Sequence, residues 1–208
     1  MNESICCIRR ATRADVSAIV QLQMACLPHF YLADPGSVFL RNFYSFVLRD
    51  SHGLLFVSEC NRKLAGFAAG FFASPHFHEK IALPRLHILT TASICLVSNP
   101  IRLPKFFIDL HRTRHLQYLP GNCDETSCEL VTLAIEPRLR MQGHGKSLIS
   151  ALVDAASQNK MTQLNVHLRS SDNGMGEFYR RLGFTLLRTF KMFEPSWTDE
   201  YVLPIQKK

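Results

Sequence analysis

The seven cysteines include no Cys-x-x-Cys pair, and their number is odd. An odd set without paired spacing argues against a secreted disulfide framework and for reduced thiols, so a cytoplasmic protein is expected. Cys123 and Cys128 form a Cys-x4-Cys pair, but no His/Cys pair follows at finger spacing, so no metal is expected. The first residues, Met1 to Ser4, are polar, and Ile5 to Ile8 is too short for the apolar core of a signal peptide. The apolar run within residues 81–97 is short and interrupted by Arg85 and His87, which argues against a membrane-spanning helix. Aromatic-plus-basic nucleic-acid motifs are missing too, so the net charge of +7 implies an anionic partner without requiring nucleic acid. Low hydrophobicity is absent as well: 47% hydrophobic and 20% charged residues are globular values, and 208 residues suit one domain.

What is present centres on Cys128 to Lys146. Leu130, Val131, Leu133, Ala134 and Ile135 form an apolar, branched run ended by Pro137, the pattern of a buried strand. Arg140-Met141-Gln142-Gly143-His144-Gly145-Lys146 follows, a glycine turn opening a helix. Glycines let the backbone curl closely around a ligand, and the helix start offers unpaired N–H groups and a positive dipole end. Together these make an anion site, to which Arg140 and Lys146 add charge.

Around it, the pattern predicts alternating elements. Cys6–Ala11 reads as a strand and Thr12 to Asp15 as a capping box for a helix ended by Pro28. A second helix is predicted over Ser37–Arg49. Leu54–Glu59 and Leu64–Phe72 read as a hairpin, with Gly66 and Gly70 marking a bulge or a close backbone approach. After the central strand come a helix to Gln158, a strand over Leu164–Leu168, a helix over Met175–Leu182 stopped by Gly183, and strands over Thr185–Met192 and Glu200–Ile205 with Trp197 in the turn between them. Strand, helix, strand implies a right-handed crossover and a parallel pair.

Arg140-x-x-Gly143-x-Gly145 resembles the R/Q-x-x-G-x-G/A signature of the GNAT superfamily of acetyl-CoA-dependent N-acetyltransferases. Leu133 to Pro137 is similar to the strand before that loop, and Phe178-Tyr179-Arg180-Arg181-Leu182-Gly183-Phe184 to the family's F-Y-x-x-L-G-F. The resemblance implies an α/β (α+β) fold: a mixed, mostly antiparallel twisted sheet of six to seven strands, helices on both faces, and a splayed parallel pair. It implies a single acyl-CoA N-acyltransferase domain over residues 1–208.

It further implies that acetyl-CoA is the co-substrate and binds the backbone of Leu133, Ala134 and Ile135 and the turn Arg140 to Lys146, His144 included. The family's asparagine, seven residues before the tyrosine, has Asp172 in its place here and Asn173 one residue later; either is a candidate for that contact. Tyr179 is the expected acid for the leaving thiolate. Glu129 is the expected base acting through water, unless a water chain alone removes the proton. Phe30, Tyr31 and Asp34 lie in the loop that shapes the acceptor pocket, with core packing as the alternative for both aromatics.

Residues 75–127 exceed the family's usual short link, and loops of that length in a compact domain are functional or carry structure of their own. They read as two Pro-broken basic helices, as in some bacterial members with a long helical insert. A lid over the acceptor, a homodimer or membrane-surface contact, and a plain solvated hairpin are all compatible with them. The expected reaction is acetyl transfer to a primary amine of a small molecule or amino sugar. The alternatives are protein or peptide N-acetylation and a non-catalytic acyl-CoA-binding interaction module.

Overall fold

The structure, a computed structural model, describes residues 6–27, 36–72, 126–193 and 196–206. Strand β1 (Cys6–Arg10) leads through a 3-10 turn (Arg13–Asp15) into helix α1 (Val16–Cys26), and α2 (Ser37–Val47) follows. Next come β2 (Gly53–Cys60), β3 (Lys63–Phe72), β4 (Ser127–Ile135), α3 (His144–Gln158), β5 (Gln163–Arg169), α4 (Asn173–Arg181), β6 (Thr185–Phe193) and β7 (Ser196–Pro204).

Local chemistry explains these boundaries. The Asp15 carboxylate accepts the Thr12 N–H at 2.7 Å, the reciprocal half of a capping box. That carboxylate is also gripped by Arg9, which donates to Asp15 at 2.8 Å and to Glu59 at 2.7 Å, tying the helix start to β1 and β2. Arg9 holds Asp15 well below the usual carboxylate range. Asn61 and Arg62 turn the β2–β3 hairpin with φ of 50° and 61°, the twist that a two-residue hairpin needs. Gly183, at φ 92°, ends α4 as a left-handed cap.

The sheet runs β1-β2-β3-β4-β5-β7-β6. Every neighbouring pair is antiparallel except β4 and β5. Two cores cover its faces. One gathers Leu148, Leu152 and Tyr179 of α3 and α4 against strands from β2 through β7. The other sets Ile19, Leu40 and Tyr44 of α1 and α2 against β2, β3 and Ala134 of β4, and takes nothing from β5, β6 or β7. Helices on both faces and a mixed, mostly antiparallel sheet of seven strands among the described residues agree with the expected α/β fold.

Two readings are corrected. Trp197 is not in a turn: β7 starts at Ser196, where Trp197 pairs with Lys191 and Thr198 pairs with both Phe190 and Arg169. Pairing on both sides overrides the turn-like Ser-Trp-Thr-Asp composition. The cysteines are not all reduced: β1 lies antiparallel to β2 with Cys6 opposite Cys60, Cα atoms 4.2 Å apart, and the two form a disulfide.

The glycines of β3 act as expected. A β-carbon on Gly70 would stand 2.6 Å from the carbonyl oxygen of Glu129, and one on Gly66 2.9 Å from that of Ala134. At Gly70 the β3–β4 register slips, so that Ala69 faces Thr132 while Gly70 faces Leu130, leaving Val131 as the extra residue of a bulge. Gly70→Ala is therefore expected to cost about 1–3 kcal/mol by overpacking backbone that cannot retreat. Urea unfolding with an unchanged slope is the measurement, and a midpoint equal to wild type would refute the close approach.

Candidate active site

The parallel pair is short. β4 and β5 pair only from Ser127 with Gln163 to Leu130 with Val166. Beyond that point β4 continues to Ile135 and β5 to Arg169 without pairing, so the strands part into a fork. The edge of β4 that faces the fork keeps backbone donors and acceptors that no strand among the described residues uses. Two buried polar atoms also lack a protein partner here, Thr132 Oγ1 on β4 and Asn165 Oδ1 on β5.

The glycine turn follows the end of β4. Gly143 sits at φ 88° as the N-cap of α3, and a β-carbon there would meet nothing within 4 Å. Ser147 N–H donates to Gly143 O at 3.0 Å, so the N–H groups of His144, Gly145 and Lys146 precede the first helical bond. Met141 holds φ 61° and is 95% exposed, a strained and bare position beside these donors. Arg140 and Gln142 fold back on the chain: Arg140 Nε donates to Ile135 O at 3.3 Å and Gln142 Nε2 to Arg138 O at 3.2 Å.

Gly145 joins the three segments singled out in the sequence. A β-carbon on it would lie 3.1 Å from Phe178 Cζ and 4.0 Å from Leu133 Cδ2. The bare helix start therefore lets the Phe178 ring of α4 lie against the loop beside β4. Tyr179, next to it, is fully buried, with its ring 5.1 Å from both Phe178 and Phe184. Burial first, and the charge of Asp172 second, pushes its phenol above the usual range, so the hydroxyl keeps its proton.

Other expected residues take definite places. Asp172 is the N-cap of α4 and accepts the Met175 N–H at 3.1 Å, whereas Asn173 is exposed as the first residue of the helix. Of the two, Asn173 is the one whose side chain is not engaged in the cap. The His144 ring is neither near solvent nor in the open part of the turn. It is buried beneath the loop, with Nδ1 3.0 Å from Ser58 Oγ, so only its backbone N–H serves the turn. Phe30, Tyr31, Asp34 and the insert up to residue 125 lie outside the described residues.

A charged network escaped the sequence reading. His167 of β5 lies between Glu129 of β4, 3.2 Å from Nδ1, and Glu200 of β7, 3.6 Å from Nε2. Arg188 of β6 donates to Glu200 in turn and stacks over Phe190, its guanidinium carbon 4.9 Å from the ring centroid. Burial by itself would lower the His167 pKa, but the two carboxylates outweigh it and raise it to about 9. The same contact, ahead of Arg188, holds Glu200 below the usual carboxylate range. Only alternation along β5 hinted at this: Asn165, His167 and Arg169 occupy one face and Leu164, Val166 and Leu168 the other.

His167 makes stability depend on pH. Its folded pKa lies above the unfolded value of about 6.5, so its contribution is complete below that value and disappears as pH rises through about 9. Chemical denaturation midpoints should fall across that window in wild type and much less in His167→Gln. Equal slopes in the two proteins would remove the buried imidazolium from the account.

The comparisons with known proteins agree with this geometry. Residues 111–186 match a family model described as an acetyltransferase (GNAT) domain. No curated protein matches the chain in sequence. Among solved structures, an N-acetyltransferase from Staphylococcus aureus Mu50 superposes with a TM-score of 0.65 at 16% identity, covering 98% of this chain and 100% of that one. A putative acetyltransferase from Salmonella typhimurium, solved with its cofactor acetyl-CoA, gives 0.63 at 15% identity, covering 99% and 96%. The ribosomal-protein-S18-alanine N-acetyltransferase of Escherichia coli gives 0.62 at 15%, covering 97% and 94%. Residues 111–186 thus carry the sequence pattern of a GNAT acetyltransferase domain, and the described sheet has the fold of these acetyltransferase structures.

Proposed function

We propose that this enzyme transfers an acetyl group from acetyl-CoA directly to a primary amine of a small molecule or amino sugar. The observation that carries the reading is the junction at Gly145, where the turn, β4 and the Tyr179 helix meet at the mouth of the β4–β5 fork. The residues fit a coenzyme A thioester. The helix start presents three N–H groups suited to a pyrophosphate, and the unpaired edge of Leu133, Ala134 and Ile135 suits the amides of a pantetheine arm. Lys146, exposed on the first turn of α3, adds charge there. Asn173 takes the cofactor contact expected of the tyrosine helix, since Asp172 is held in its cap.

Bound acetyl-CoA supplies an activated acetyl thioester; the protein supplies orientation and protons. A backbone N–H of β4 at the fork polarises the thioester carbonyl. Tyr179, kept neutral by burial, donates its hydroxyl proton toward the departing sulfur. His167 engages Oε1 of Glu129, which leaves Oε2 to receive a proton from the acceptor amine, directly or through water. Glu129, on the sheet face opposite the α3–α4 core, suits a cationic amine, whereas Glu200 is engaged by His167 and Arg188. Burial, then the Glu129 charge, pushes the Cys128 thiol up to about 12, which supports direct transfer over an acyl-cysteine at that position. Phe30, Tyr31, Asp34 and the insert then shape the acceptor side, and the cytoplasm is the compartment where acetyl-CoA and small amines meet.

A second acceptor class, the N-terminal amine of a protein or peptide, is kept because one structural neighbour is a ribosomal-protein-alanine acetyltransferase. Glu129 would receive that ammonium too.

Release of free thiol from acetyl-CoA, measured against a panel of amino sugars, polyamines and alanyl peptides, separates these readings. Tyr179→Phe and Glu129→Gln should each lower turnover by about 10²-fold or more with acetyl-CoA binding intact. Gly145→Trp, checked for native circular dichroism, should weaken acetyl-CoA binding by about tenfold or more, equal to about 1.4 kcal/mol. Unchanged affinity in that variant would end the cofactor assignment. Binding without turnover on any amine would favour a non-catalytic acyl-CoA-binding module instead.

A further inference from the structure

Beneath the glycine turn lies a group that the transfer chemistry does not use. The sulfurs of Cys6 and Cys60 and a ring nitrogen of His144 all lie within 4.8 Å of one another. Cys60 Sγ is 3.9 Å from His144 Nε2. The other nitrogen, Nδ1, is 3.0 Å from Ser58 Oγ, and Ser58 is fully buried. With Nδ1–H donated to that hydroxyl, the lone pair of Nε2 faces the sulfur. This is the arrangement in which a partner behind the ring fixes the tautomer of a metal-binding histidine. Cys60 and His144 are buried while Cys6 is exposed, so the group has a closed floor and one side open to solvent.

We propose that, with the Cys6–Cys60 disulfide opened, Cys6 Sγ, Cys60 Sγ and His144 Nε2 bind one soft divalent cation, zinc above all. Thiolate and imidazole donors are the set that zinc prefers, and three protein ligands leave a fourth position for solvent. Zinc–sulfur and zinc–nitrogen bonds of about 2.3 and 2.0 Å place tetrahedral ligands about 3.5 Å apart, close to the observed sulfur–nitrogen separation. The two cysteines are directly opposed across antiparallel strands, so parting the sulfurs needs side-chain rotation only.

The redox step balances. Two small-molecule thiols give up two electrons and two protons and become a disulfide, while Cys6–Cys60 becomes two thiols. The cation then displaces both thiol protons and accepts the imidazole lone pair. Disulfide and metal are alternative occupants of one site, and bound metal holds the thiols reduced. Because His144 is the first residue of α3, directly after Gly143, occupancy is felt at the anion-binding turn.

The test uses the full chain, reduced with a phosphine, kept anaerobic and titrated with Co²⁺. One equivalent should bind, with a thiolate-to-cobalt charge-transfer band and the intense visible bands of four-coordinate cobalt, and Zn²⁺ should displace it. The disulfide form should show neither. Cys6→Ser, at an exposed position, and His144→Gln, each checked for native circular dichroism, should weaken binding by about tenfold or more. A six-coordinate cobalt spectrum overturns the proposal. So does a thiolate band that survives in both variants, because other cysteines would then be its source.

Discussion

One missing side chain holds the site together. Gly145 has only a hydrogen where a β-carbon would press on Phe178 at 3.1 Å from Cζ, and through that gap α4 packs against the start of α3. Close packing of this kind is decided by single atoms, because protein interiors leave no slack. The ring at 178 then fixes where Tyr179 sits, and Tyr179 with Phe184 seals the core between α3, α4 and the sheet. The glycine thus serves twice, as open backbone at the start of α3 and as the floor on which the Tyr179 helix rests.

The sheet does comparable double work at the fork. Parallel pairing of β4 with β5 stops at Leu130 and Val166. On the other edge of β4 the ladder to β3 slips at Gly70 in the same neighbourhood, putting Val131 out of pair. A strand still paired on one side, through a bulge, and released on the other redirects its edge groups without leaving the sheet. Glu129, one residue before the parting, ends up with His167 as its neighbour across the strands. The imidazolium between two carboxylates is a compact charge balance in a half-buried place, which three unpaired charges could not occupy cheaply.

Much of this was legible in the residues. Branched apolar runs and glycine turns gave nearly every described strand and helix within a few residues, because period and punctuation are local properties. The paired glycines of β3 announced a close backbone approach, and the two motifs in order announced the fork and its tyrosine helix. The His167 network was not legible, since Glu129, His167, Arg188 and Glu200 come from four strands and meet only through register. The inward turn of His144 was hidden for the same reason: its partner Ser58 is 86 residues away. Cys6 and Cys60 carry no spacing signal either, because β1 finds β2 only after two helices intervene. The start of β7 shows tertiary pairing outvoting a turn-like composition.

The two cores are unequal in reach. One spans both limbs of the fork, while the other stops at β4. Among the described residues, the apolar seating of β5 and β7 comes from one core, through Leu164, Val166, Tyr201 and their neighbours on α3 and α4. Close packing makes that seating stiff, so a change in the volume of those side chains would tilt β5 and β7 together, as one plate, against β4.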